Sequence, residues 1–173
     1  MAYPDLQSAD RIWIESVRMQ HDPQATRLNV HFTLVFPFEG ESVAVTEHIA
    51  AVARTTSQIP FEITPVRVVR DAVSSQTYVF LVPDQGAAEI LALHERLYDK
   101  NLRAHKRHDI SYVPHLTVAA TLTLASAEAI AQTLQLHGAN RRVVRGVVSR
   151  MELVDVAAHP VETVVRFDLQ GKS

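Results

Sequence analysis

The chain contains no cysteine. That absence removes disulfides, thiolate nucleophiles, iron–sulfur clusters and thiolate zinc sites together, and it suits a reducing compartment. Long apolar runs are missing too, since no stretch approaches the ~18–20 continuous apolar residues that a membrane helix needs. The opening MAYPDLQSAD has neither a basic start nor an apolar centre, so it does not read as a signal peptide and is expected to be a short frayed leader. Strong charge of either sign is lacking. A formal net charge of −2 leaves no broad basic field for coating nucleic acid, although a local patch can hold a nucleotide or an RNA end. The expectation is a cytoplasmic protein with no membrane attachment and no obligate protein partner.

What is present is core-forming material. Hydrophobic residues make up 47% of 173, enough for one packed domain over 1–173. DRIWIESVRM (10–19) alternates through Ile12, Ile14 and Val17 and is expected to be a first strand. A β-rich run over 29–36 stops at Pro37 and Gly40. Residues 41–58 place Val45, Ile49, Val52 and Ala53 at helical spacing. Strands are expected over 61–72 and 77–83, joined by a Ser74-Ser75 turn. Residues 84–102 read as the clearest helix, with Asp84 as its cap and Ile90, Leu93 and Leu97 on one face. A basic loop (103–109), a motif strand, a helix over 123–136 and a turn over 137–141 follow. Strands over 143–157 and 163–170 close the chain.

The two halves resemble each other. Each has a histidine-bearing strand, then a helix, then a longer and a shorter strand, offset by about 85 residues. The lobes are expected at approximately 20–83 and 105–173, completed by strand 10–19 and helix 84–102.

The histidine strands carry the chemistry. HFTL (31–34) and HLTV (115–118) both write His-apolar-Thr-apolar. With 9 histidines and twelve threonines in the chain, chance supplies only about 0.14 such tetrads, yet two occur at equivalent places in the repeat. On a strand, residues i and i+2 share a face. His31 with Thr33, and His115 with Thr117, are therefore expected to present imidazole and hydroxyl together, while Phe32, Leu34, Leu116 and Val118 enter the core.

This pair of motifs resembles the two-histidine (2H) phosphoesterases, which include RNA 2′,3′-cyclic phosphodiesterases and 2′-5′ RNA ligase-like proteins. DPQATRLNVHFTLVFPFE (22–39) is similar to the bacterial branch in particular. The resemblance implies an α+β, bilobal, pseudo-twofold-symmetric fold, with two antiparallel sheets flanking a central cleft and helices on the outside. It implies hydrolysis, or reversible formation, of 2′,3′-cyclic or 2′-5′ phosphodiester bonds at RNA or nucleotide ends. His31 and His115 would share the roles of base and acid, in an order the residues leave open, and Thr33 and Thr117 would bind the phosphate, with no cofactor and no metal. Many relatives carry an arginine after the second motif. This chain has Ala119-Ala120 there, which leaves open a non-catalytic protein that binds a nucleotide or RNA end in the same cleft.

Histidine suits both proton transfers because its ordinary pKa is about 6.5. Further candidates for substrate contact are Arg103, Lys106 and Arg107 in the basic loop, which reads equally as a solvated loop, and Tyr112, Phe38 and Tyr78 as base-stacking rings. Arg142, Arg145 and Arg150 are a weaker set, of which one is expected to reach the cleft. His105 and His108 have metal-pair spacing but no third ligand at a convincing distance in sequence.

Overall fold

Buried residues recurring every three or four positions set the helices. The computed structural model describes residues 1–173 apart from 41, 72–74, 136–141 and 172–173. In α2 (Val43–Ala53) the inward residues are Val45, Ile49, Val52 and Ala53, and in α3 (Ala87–Leu97) they are Ile90, Leu93, His94 and Leu97. The final helix, α4 (Leu124–Gln135), buries Ala127 and Ala131. The expected strand over 10–19 is instead a helix, α1 (Ser8–His21). Its buried positions are Asp10, Ile14 and Arg18, four apart, whereas Ile12, which completed the alternating pattern, is 70% exposed.

The expected helix over 84–102 is shorter. Asp84 belongs to a strand and accepts the Thr64 hydroxyl proton rather than capping a helix. The cap is Gly86, whose φ of +80° favours glycine; a Cβ there would lie 2.5 Å from the Pro60 carbonyl oxygen. After α3 the chain tightens into a 3₁₀ helix, Lys100–His105, so the basic segment is partly helical.

The α+β class and the antiparallel sheets are as expected. A five-stranded sheet runs in the order β1 (Asp5–Leu6), β5 (Val144–Val148), β2 (Ile59–Arg70), β3 (Thr77–Gln85), β4 (Leu116–Thr121), every pair antiparallel. The hairpin β6 (Arg150–Asp155) with β7 (Glu162–Asp168) forms a second sheet. The single strand expected over 143–157 is therefore two, in different sheets, divided at Ser149. Ser74 and the turn expected over 137–141 lie outside the described residues.

The opening residues are not frayed. Ala2 is fully buried and exchanges two hydrogen bonds with Phe32, at 2.9 and 2.8 Å, while β1 pairs with β5. Met1 exchanges two more with Glu152 of β6, at 2.7 and 2.8 Å. The stretch expected as a strand over 29–36 forms no continuous ladder. Only Phe32 bridges, to Ala2 on one side and to Leu116 on the other. These bridges tie the two sheets together through the first motif. No helix among the described residues is long and apolar enough to cross a membrane.

Candidate active site

Alternation holds at both motifs. Phe32, Leu34, Leu116 and Val118 are buried, while His31, Thr33, His115 and Thr117 are half-buried on the opposite face. The antiparallel bridge from Phe32 to Leu116 fixes the register. His31 falls opposite Thr117, and Thr33 opposite His115. The two motifs thus lie side by side, with the histidines on a diagonal of about 7–8 Å at the backbone.

Both imidazoles are oriented in the same way. His31 Nδ1 donates to the Asn29 carbonyl at 2.8 Å, and His115 Nδ1 to the Val113 carbonyl at 2.7 Å. A carbonyl only accepts, so the proton sits on Nδ1 and each Nε2 keeps its lone pair. Tyr3 packs its ring 5.8 Å from His31, and Phe80 stacks on His115 at 3.7 Å, with Tyr78 behind Phe80 at 5.7 Å. Tyr3, Phe80 and the two carbonyls escape sequence reasoning, because both rings come from distant parts of the chain and a carbonyl has no residue type; Tyr78 alone was a sequence candidate.

Burial holds both histidines neutral. It lowers the His31 pKa to about 4 despite the bond to Asn29, and the positive charge of Arg18 and the neighbouring His115 act in the same direction. Burial likewise lowers His115, against the bond to Val113. An unfolded imidazole takes up its proton near pH 6.5, whereas folded His31 does so only near 4. The folded chain binds fewer protons in that window, so stability falls as pH drops from 6.5 towards 4. We expect wild type to lose at most about 2 kcal/mol more than His31→Gln between pH 7 and pH 5, measured by urea unfolding. Equal losses in the two proteins would show that His31 is not held neutral.

Behind the first motif lies a network that the strand reading of 10–19 concealed. Arg18, 2% exposed, pairs with Glu15 at 3.0 Å and Asp22 at 2.9 Å. The other Glu15 oxygen accepts the Val30 N–H at 2.8 Å. The spacing of Glu15, Arg18 and Asp22, at i+3 and i+4, was the available signal for both helix and network.

The other sequence candidates are dispersed. Lys106 is paired with Glu95, and Arg107 makes a two-pronged contact with Asp109 at 2.8 and 2.6 Å. Arg103 is exposed. Tyr112 stacks on buried His94 at 3.6 Å, and Phe38 lies against His105 at 5.2 Å. Arg142 binds Asp10 and covers Trp13, and Arg145 binds Glu62. Among the described residues no group of three or more His, Asp or Glu side chains is placed to hold a metal.

Two cavities flank the motif face, and neither histidine lines them. One, about 600 Å³, is mostly apolar and includes Met1, Leu34, Phe38, Leu97 and Met151. The other, about 390 Å³, is polar and includes Tyr3, Asn29 and four arginines.

The family described as the 2′-5′ RNA ligase superfamily matches residues 4–159. A candidate phosphoesterase of Bacillus licheniformis is 27% identical over 132 residues, 75% of each chain. Another, from Halalkalibacterium halodurans, is 29% identical over 111 residues, covering 62% of this chain and 61% of the relative. Among solved structures, E. coli LigT in its apo form aligns with a TM-score of 0.58 at 21% identity, over 96% of this chain and 94% of LigT. LigT complexed with 3′-AMP aligns at 0.56 and 20% identity, with the same coverage.

Proposed function

The chain belongs to the 2′-5′ RNA ligase superfamily, and from that premise we propose that it is a phosphoesterase acting on 2′,3′-cyclic or 2′-5′ phosphodiesters at RNA or nucleotide ends. One observation carries this reading. Two imidazoles share a face, each fixed through Nδ1 by the carbonyl two residues earlier, and each sits opposite the other strand's threonine.

The proton transfers follow from that geometry. One Nε2 takes a proton from water as its oxygen attacks phosphorus. The second imidazole, protonated, gives its Nε2 proton to the departing ribose oxygen as the P–O bond breaks, leaving a phosphomonoester. Thr33 and Thr117 donate to the non-bridging oxygens, where charge gathers in the transition state. A neutral pair cannot supply the acid. The phosphate's own negative charge raises a neighbouring imidazole's pKa, so substrate binding brings the proton with it. The two histidines supply both proton transfers, and this scheme calls on no metal.

That LigT has been captured with nucleotides favours a nucleotide ligand here. The test is a panel of nucleoside 2′,3′-cyclic phosphates, RNA ends with cyclic phosphates and 2′-5′ dinucleotides, followed by chromatography. Conversion of at least one to a phosphomonoester, or of a 2′-5′ dinucleotide to its halves, is expected. Ala119, buried on β4, and Ala120 stand where an arginine would help hold phosphate, which keeps a second reading in play. Tight binding of a nucleoside 2′-phosphate without turnover of any member would establish that reading and reject catalysis.

A further inference from the structure

The motif face continues beyond the histidines. Ala2 pairs with Phe32, so Tyr3 stands opposite His31; Met1 pairs with Glu152 and Asp5 with Val147, which brings Tyr3 alongside the Ser149–Arg150 step, and Tyr3 and Arg150 line one cavity. Tyr3, His31 and Thr117 therefore form one row, with Arg150 beyond Tyr3 at its end. Two strand spacings, about 10 Å, separate the backbones of Arg150 and His31.

Here the chain gathers positive charge. The 390 Å³ cavity is lined by Arg11, Arg27, Arg150 and Arg166, with Glu152 as its one acid. These guanidinium groups are only partly engaged. Arg11 donates to the Pro4 carbonyl at 3.0 Å, and Arg27 to the Val156 carbonyl at 2.9 Å. Arg150 meets Asp5 at 3.4 Å, and Arg166 meets Glu152 at 3.4 Å. The Nε atoms of Arg27 and Arg150 are buried with no hydrogen-bond partner among the described residues. A buried N–H without an acceptor is costly, and the four guanidinium groups meet only two carboxylates, Glu152 in the lining and Asp5 beside Arg150, so the cavity keeps a net positive charge that suits an anion. It abuts His31 on two sides, through the Tyr3 ring and through Asn29, whose carbonyl holds the imidazole.

We propose that this arginine cavity binds the backbone phosphate next to the reacting one, which makes a single-stranded RNA end, rather than an isolated mononucleotide, the preferred ligand. The inference rests on the reading of the motif face as the place where a terminal phosphodiester reacts. Lys106 and Arg107 of the basic segment are held more closely, by Glu95 and Asp109, than Arg150 and Arg166 are by their acids at 3.4 Å.

The test compares two ligands, a trinucleotide RNA ending in a 2′-phosphate and a nucleoside 2′-phosphate, by calorimetric titration at several salt concentrations. Wild type is expected to bind the trinucleotide at least about tenfold more tightly, with a steeper salt dependence. The Arg150→Gln/Arg166→Gln variant should lose most of that preference. Its slope of log affinity against log salt should flatten by about 0.7, the single-strand value for the one phosphate that the cavity no longer neutralises. Both side chains are well exposed, at 42% and 68%, so the variant is expected to fold, and its melting temperature checks this. Should the variant keep both the preference and the slope, or wild type show no preference, the proposal fails. Titration needs no turnover, so an inert protein that still loses its preference on substitution would support the cavity while rejecting the proposed catalysis.

Discussion

Replacing either His31 or His115 with alanine is expected to lower kcat by about 10²–10⁴-fold on whichever panel member wild type converts. The size follows from the step each imidazole performs. Loss of the base leaves water to be deprotonated by solvent, and loss of the acid forces out an unprotonated ribose oxygen. The double variant should be scarcely worse than the more damaged single one, because base and acid act on one transition state and groups acting as a unit are not additive. Both histidines are held below their ordinary pKa. The free protein therefore carries little of the protonated form at neutral pH, and kcat/KM should peak on the acid side of pH 7. Its two limbs would belong to the coupled pair and not to either residue alone. Full activity in either alanine variant, with an unchanged melting temperature, would remove paired-histidine catalysis.

The second large effect is on stability. Arg18→Met strands the buried carboxylate of Asp22, 4% exposed, and frees Glu15 from the partner that holds it against the Val30 N–H. Removing one member of a buried ion pair typically costs about 3–5 kcal/mol, because the remaining charge is left without compensation. For a chain of this length that corresponds to a melting temperature roughly 10 °C lower. Arg18→Met/Asp22→Leu should recover a good part of the loss, since apolar residues can replace a buried pair at little cost. A melting temperature for Arg18→Met within about 2 °C of wild type would show that the network contributes little.

Much of this was legible in the residues, for physical reasons that also mark where legibility ends. α2 and α3 could be read because their buried faces are almost wholly apolar, so spacing and burial coincide. α1 could not, because its inward face carries Asp10 and Arg18 while Ile12 points to solvent. A charged residue buried through a partner inverts the rule on which periodicity depends. The motif pairs were visible because strand alternation is local, and the half-buried hydroxyls and imidazoles follow it. Their partners were not. The orienting carbonyls belong to Asn29 and Val113, and the stacking ring Phe80 sits on another strand, brought there across a register shift between Val79 and Phe80. The arginine cavity draws on positions 11, 27, 150 and 166, which no window of the chain contains together. The run over 143–157 shows a subtler limit. Its residue pattern is strand-like throughout, and only the break at Ser149 sends its two parts into different sheets.

The interleaving of the five-stranded sheet bears on how the chain is made. The β2–β3 hairpin leaves the ribosome early, yet its outer edges are covered by β4 and β5, with Ile63 waiting for Val144 and Thr77 for Thr121. Until those later segments emerge, the nascent hairpin carries two bare rows of amide and carbonyl groups, the condition under which strands recruit neighbours of their own kind. Synthesis of the final third of the chain is thus the stage at which both exposed edges can be covered from within the same polypeptide.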